Sequence, residues 1–343
     1  MKSQCSAQSA PTTHLGTRRT LLAGAATVAI GMLAGIQPAL AASAGDSFPN
    51  RPVRIITPAQ PGGTTDFLAR LLAGHFTEAW KQTAIVDNRG SASGINAAEI
   101  TKNAAADGYT LLLVYHQHTI NAAIQSKLPY QVVDDFSPIT QMTEAGTLLV
   151  VNPNHPAKNL KEFVEWTKTT KDPINFGSAG IGSGGHMGGE LYKLLTGTKA
   201  QHIPYKGTGP ALIDLMAGQY HFNFAGLTGS IPLAKAGKLR AIAVSAPKRL
   251  QSLPDIPAVA EVVPGFSVVG WYGLVGPKNL PKPLLTKIHG ETLNLLKQPD
   301  FVKRMTNLGS EVIGNDPETF RKFMNDDVRK WTDVVKRSGM KFN

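Results

Sequence analysis

The residues best placed to do chemistry lie in glycine-rich turns, where a short apolar run gives way to a helical pattern. The first turn is "QPGGTTD", Gln60 to Asp66, between "VRIIT" and "FLARLLAGHF". Glycines let backbone N–H groups approach a ligand closely. A helix start adds unpaired N–H donors and a partial positive charge. Gln60, Gly62, Gly63, Thr64, Thr65 and Asp66 are therefore candidates for holding an anion. Thr64, Thr65 or Asp66 could instead cap the helix. Capping uses one of the three and leaves the paired glycines unexplained.

The second turn is "GSAGIGSGGH", Gly177 to His186. Gly180, Gly182 and Gly185 fit G-x-G-x-x-G after a strand, which would suit a dinucleotide if an acid followed the next strand. "AQHIPYKG" offers Tyr205 and Lys206 there instead. No G-K-[ST] closes a phosphate loop, and Ile181 stands where a nucleophile elbow would need glycine. What remains is a second helix-start anion site formed by Ser178, Ala179, Gly180 and Ser183, with the serines as hydroxyl donors. Lys206 beside Gly207 is either a cleft cation or a solvated surface charge. Gly226 in "FAGLTGSIP" either completes a cleft or belongs to a plain turn.

The third is "VYHQHTIN", Val114 to Asn121. If the strand continues through them, His116 and His118 share one face, a spacing that would suit a metal. A lone H-x-H without a neighbouring cysteine or acid is a weak metal signal, so no metal is expected. Contact with an anionic or aromatic ligand is the preferred reading, beside that of a hydrogen-bonded structural histidine.

Those turns must be positioned by regular elements. "VRIIT", "TAIVDNR", "YTLLLVY", "TLLVVN", "INFGS", "AQHIPYK", "FNFAG" and "LRAIAVS" read as strands, alternating with helical patterns. The stretch from Pro281 holds two or three further helices. Strand–helix alternation predicts an α/β fold with parallel sheets. In such sheets ligands sit at the carboxyl ends of strands, where these turns fall. With 343 residues, 42% of them hydrophobic, the chain can build about two lobes. Its net charge of +11 is spread without a basic run, which argues against nucleic acid and for attraction of anionic ligands.

Residues 1–41 read as a leader: Lys2, Arg18 and Arg19 precede "LLAGAATVAIGMLAGI", and cleavage fits near Ala41 or Ala44. "TRRTLLA" resembles a twin-arginine export signal loosely. Cleavage would remove Cys5, the one cysteine, and with it all thiol chemistry.

Together these stretches resemble the substrate-binding component of tripartite tricarboxylate transporters, the Bug receptors. The resemblance rests on "PGGTTD", "IVDNRGSASGINAAE", "DGYTLL", "INFGSAGIGSGGHMGGE", "PYKGTGPAL", "AGKLRA" and "GFSVVGWYGLVGP", in the family's order from about Phe48 onward. It implies a two-lobed periplasmic-binding-protein-like fold with a ligand cleft between the lobes. Lobe 1 would comprise 45–145 with 265–343, and lobe 2 would comprise 146–264. It further implies a monomeric periplasmic receptor, without cofactor or catalysis, that hands a small carboxylate to membrane transporter subunits. The family's ligand contacts carry onto Gln60 to Asp66 and onto Ser178 to Ser183, one helix start per carboxylate. Where many relatives have Phe-Asp-Asn, this chain has Phe224, Ala225 and Gly226. The missing acid disfavours an ammonium-bearing ligand. With Tyr115, His116 and His118 nearby, the expected ligand is a di- or tricarboxylate, and an aromatic dicarboxylate such as terephthalate would suit. Two rival functions share the same turns: a periplasmic enzyme acting on such acids, and a sensing receptor for a signalling partner. The enzyme reading lacks a nucleophile with its base.

Overall fold

The computed structural model describes residues 48–58, 60–62, 64–90 and 94–339. The expected leader, both cleavage points and Gly63 lie outside the described residues.

Among the described residues, ten strands form one continuous sheet. One half orders β2 (Ala84–Asn88), β1 (Val53–Thr57), β3 (Thr110–Tyr115) and β9 (Val269–Pro277) against β4 (Phe136–Val151). The other half continues from β4 through β7 (Phe222–Gly226) and β5 (Ile174–Ser178) to β6 (Ala200–Pro204). β8 (Arg240–Val244) and β10 (Ser310–Val312) also pair with β4. The outer strands are parallel, as the alternation predicts: β1 with β2 and β3, and β5 with β6 and β7. The centre differs, because β4 runs antiparallel to β7, β8, β9 and β10. Read alone, "TLLVVN" predicts a short strand, yet β4 extends back to Phe136 through "FSPITQMTEAG". That segment carries Pro138 and a threonine-rich stretch that hide an apolar signal. Register shifts at Pro138/Thr140 and Gln141/Thr143 accommodate it beside β9.

The two lobes therefore share β4. Its residues Phe136–Gly146 bond to β9, and its residues Thr147–Val151 bond to β7. Each half of the sheet has a core on both faces, as period-two alternation requires. In β3, Leu111 and Leu113 face one core with Val53 and Ile55, while Leu112 and Val114 face the other with Ile56 and Trp271. Helix α1 (Thr64–Trp80) covers the first of these cores with Leu68, Leu72 and Phe76, one stripe at four-residue spacing.

The last helix, α10 (Pro317–Ser338), joins the lobes a second time. Its Phe320 and Met324 pack with Trp271 in the first lobe. Its Trp331 and Val334 pack with Phe163 and Phe222 in the second. Between them Asp327 is buried and accepts hydrogen bonds from Thr119 Oγ1 at 2.6 Å and Trp271 Nε1 at 3.0 Å.

Close packing in the second lobe reverses an ordinary helix rule. Gly189 lies inside α5 (Gly184–Thr196), where alanine normally stabilises by about 1 kcal/mol. A Cβ at Gly189 would stand 2.1 Å from Cε2 of the fully buried Phe176. Gly189→Ala is therefore expected to destabilise the protein by about 1–3 kcal/mol, read from its urea unfolding midpoint. A raised midpoint would show that Phe176 can yield.

Candidate functional site

The cleft at the carboxyl ends of the strands is a cavity of about 350 Å³. Lobe 1 lines it with Thr64, His116, Ala145, Gly270, Tyr272 and Ser310. Lobe 2 lines it with Thr147, Ala179, Ser183, Thr208, Asn223 and Gly226, among others. Four helices begin on it: α1 at Thr64, α5 at Gly184, α6 (Thr208–Met216) at Thr208 and α7 (Leu227–Lys235) at Leu227. The caps differ. Ser183 caps α5 by accepting from His186 N at 3.3 Å. α6 and α7 start from Gly207 and Gly226, neither of which has a side chain to cap them. Gly207 has φ of 116°, a conformation glycine tolerates. The first N–H groups of α6 and α7 are thus left for a ligand or solvent. Among the described lining residues there is no Lys, Arg, Asp or Glu. An anion would be met by helix ends, hydroxyls and Asn223 rather than by an opposite charge.

Of the residues expected from the sequence, Thr64, His116, Ala179, Ser183 and Gly226 line the cleft. The rest of the first turn faces inward or outward. Asp66 is buried and accepts from Arg70 Nε, Gly62 N and Asn88 Nδ2, each at 2.9 Å. The Arg70 hydrogen bond, with those from Gly62 and Asn88, holds its carboxyl down at about 2 against the opposing cost of burial. Asp66 therefore ties Gly62, which has φ of 91°, to α1 and β2. Thr65 is buried in the same helical turn, and Gln60 is exposed with its Nε2 on Gly90 O at 3.2 Å. In the second turn Ser178 is buried beneath the loop. Its Oγ donates to Gly180 O at 3.0 Å and accepts from Gly180 N at 3.1 Å. Gly180, with φ of 135°, and the exposed Lys206 are outside the cleft lining.

The histidine pair departs from the strand reading. β3 ends at Tyr115, and α3 (Gln117–Ile124) begins at once with His116 as its N-cap. A helical turn sends the two rings in different directions. His118 is buried in lobe 1, bonded to Val132 O at 2.8 Å and stacked on Tyr130. The described residues contain no cluster of three metal-ligating groups.

Sequence reasoning missed Thr147, Asn223, Gly270, Tyr272 and Ser310 as lining residues. Thr147, Gly270 and Tyr272 sit on the antiparallel centre, β4 and β9, which strand–helix alternation does not announce. Asn223 lies inside the run "FNFAG", where a polar residue in an apolar strand is the only available signal. Burial raises the pKa of the Tyr272 hydroxyl, and a hydrogen bond with Thr64 partly opposes this.

Residues 68–340 match the model described as the tripartite tricarboxylate transporter family receptor. The chain belongs to that family. It is 30% identical to BugT of Bordetella pertussis over 299 residues, covering 86% of this chain and 92% of BugT. Among solved structures it is similar to R. palustris Rpa4515 with adipate, at 30% identity and TM-score 0.73, covering 86% of this chain and 100% of that one. It is also similar to MatC from Rhodopseudomonas palustris with bound malate, at 32% identity and TM-score 0.69, covering 84% and 100%. No helix among the described residues is long and apolar enough to cross a membrane.

Two expectations follow. Asp66→Ala leaves Gly62 N and Arg70 without their acceptor and should lower stability by about 1–3 kcal/mol. It should also weaken ligand binding through the loosened turn, although Asp66 does not line the cleft. Unchanged melting and affinity would show that the turn holds itself. The second expectation concerns pH. Burial, the largest cause in each case, holds His116, His118 and His186 at about 4 and His202 at about 3, below the ordinary 6.5. The unfolded chain then takes up these protons first, so stability is full above 6.5 and is lost as pH falls toward 4. A melting temperature that stays level from neutral pH to about 4 would contradict the neutral, buried state of these rings.

Proposed function

We propose that the protein is a periplasmic solute-binding receptor that captures a di- or tricarboxylate and delivers it unchanged to a tripartite tricarboxylate-type membrane transporter. The observation that carries this reading is the convergence of four helix N-termini on one cleft whose described lining has no charged side chain. Helix ends stabilise anions without chemistry, and among the described lining residues no hydrogen-bonded nucleophile–base pair is found. The adipate and malate held by the two R. palustris neighbours support a dicarboxylate. In this reading the leader directs export, and the mature chain works as a monomer. Lobe 1 (45–145 with 265–343) and lobe 2 (146–264) close around the ligand, because an acid gripped by both has contacts only the closed state supplies.

The turns named from the sequence divide by role. Thr64, Ala179, Ser183 and Gly226 contact the ligand, and Gln60, Gly62, Thr65, Asp66, Ser178 and Gly180 hold the turns. Lys206 steers anions toward the opening. Tyr272 and His116 give the cavity its aromatic lining. For that reason an aromatic dicarboxylate such as terephthalate is the ligand to test first.

The test is a thermal-shift panel of aliphatic and aromatic mono-, di- and tricarboxylates on the leaderless protein. A ligand at 100 times its dissociation constant should stabilise by about 2.7 kcal/mol and be recovered intact. A panel without any shift, or a chemically altered ligand, would overturn the receptor reading. A response to aliphatic acids alone would remove the aromatic assignment.

A further inference from the structure

His116 lines the cleft and carries a buried ring nitrogen without a hydrogen-bond partner. Its backbone is engaged: its N donates to Trp271 O at 3.1 Å, and its O accepts from Ile120 N at 3.2 Å. The ring stands edge-on to Tyr115 with centroids 5.2 Å apart. Nδ1 is buried and has no partner. A Cβ built on Gly270 would lie 3.5 Å from it, so Nδ1 faces the bare backbone of a glycine that lines the same cleft.

The partners decide the proton. A buried N–H without an acceptor is costlier than an unused lone pair. The proton of the neutral ring therefore resides on Nε2, and Nδ1 keeps the lone pair. The imidazolium would need a buried, unpaired N–H at Nδ1, beside the positive end of α3. Of the titratable groups near the ring, Tyr115 from β3 stands edge-on to it, Asp327 from α10 acts on it by charge, and Tyr272 from β9 lines the same cleft. Only Asp327 favours a charge, and it is already bonded to Thr119 and Trp271. Burial outweighs it and holds the ring at about 4.

Resting on the receptor reading above, we propose that His116 is a specificity-determining residue. It offers the ligand one uncharged N–H donor from the lobe 1 wall, selecting a second carboxylate opposite the helix starts of lobe 2. A donor that cannot turn acceptor rewards an ionised carboxylate and gives nothing to a methyl or ring edge. The cleft would thus prefer dicarboxylates over monocarboxylates of the same length, and would take them up without binding a proton.

The test is calorimetric titration with adipate, terephthalate and malate, and with hexanoate and benzoate as single-carboxylate controls. In the wild type, dicarboxylate affinity should change little between about pH 6 and 8, with no proton uptake when buffers of different ionisation enthalpy are compared. His116→Phe should weaken dicarboxylates about 10- to 100-fold and leave the controls nearly unchanged. His116→Gln, which can still donate, should recover most of the loss. Unchanged dicarboxylate binding by a folded His116→Phe overturns the proposal, as does binding that tightens on acidification with uptake of a proton. Should His116→Phe fail to fold, the wild-type proton count and the preference for dicarboxylates decide the matter. Absence of binding by the wild type to every acid instead overturns the receptor reading itself.

Discussion

The backbone pairing of β4 is the constraint on which the rest of the structure depends. One strand serves both lobes, bonding to β9 over Phe136–Gly146 and to β7 over Thr147–Val151. The residues where it changes partners, Ala145, Gly146 and Thr147, line the cleft. A strand cannot slip by one residue without turning every side chain to the other face. The floor of the cleft is therefore locked to two cores at once. Here Thr147 N donates to Ser245 Oγ at 2.6 Å, and Ser245 Oγ donates onward to Val268 O at 2.6 Å. The chain's crossings between lobes are thereby tied together beneath the site. α10 adds a side-chain bridge behind them, with Asp327 joining α3 to β9. Closure of the proposed kind would have to leave these ties intact and so take place at the rims, where the helix-start turns lie.

Those turns hold themselves together by devices that spend some polar groups and spare others. Asp66 consumes Gly62 N, and Ser178 consumes both backbone groups of Gly180. His186 Nδ1 accepts from Gly182 N at 3.0 Å, and its ring stacks on His202 at 3.9 Å. What is left toward the cleft is the uncapped starts of α6 and α7, several hydroxyls and an aromatic wall. An anion placed there exchanges hydration for fixed dipoles. Charge to draw an anion in would reside elsewhere, in the +8 that remains of the chain's +11 once Lys2, Arg18 and Arg19 leave with the proposed leader, and would act over distance rather than by contact.

This division explains what could be read from the sequence. The parallel outer strands and their helices were legible, because "VRIIT", "YTLLLVY" and "INFGS" are short apolar runs, the first and last of them ending in glycine turns. So was the convergence of turns at strand ends. The centre was not: β4 enters through proline, serine and threonine, and "VVGWYGLVGP" carries glycines that a strand reading discounts. Those glycines have reasons visible only in three dimensions. A Cβ at Gly273 would meet Phe320 of α10 at 2.3 Å, and Gly270 makes room beside His116. The roles of Asp66 and Ser178 were equally hidden. A polar residue in a glycine turn can face a ligand or brace the turn, and spacing alone does not say which.

A cleft built from backbone donors has a consequence for what it can discriminate. Helix ends recognise negative charge and little else, so they supply affinity common to many carboxylates. Selectivity must come from the few side chains that reach the cavity. Thr64, Asn223, Tyr272 and His116 are polar, uncharged and spread over both lobes. A ligand that buries these groups without pairing their remaining hydrogen-bonding capacity is disfavoured, because a buried polar group left unpaired costs more than a made hydrogen bond returns. The shared scaffold can then serve different acids through changes at these positions, while β4, α10 and the braced turns stay fixed.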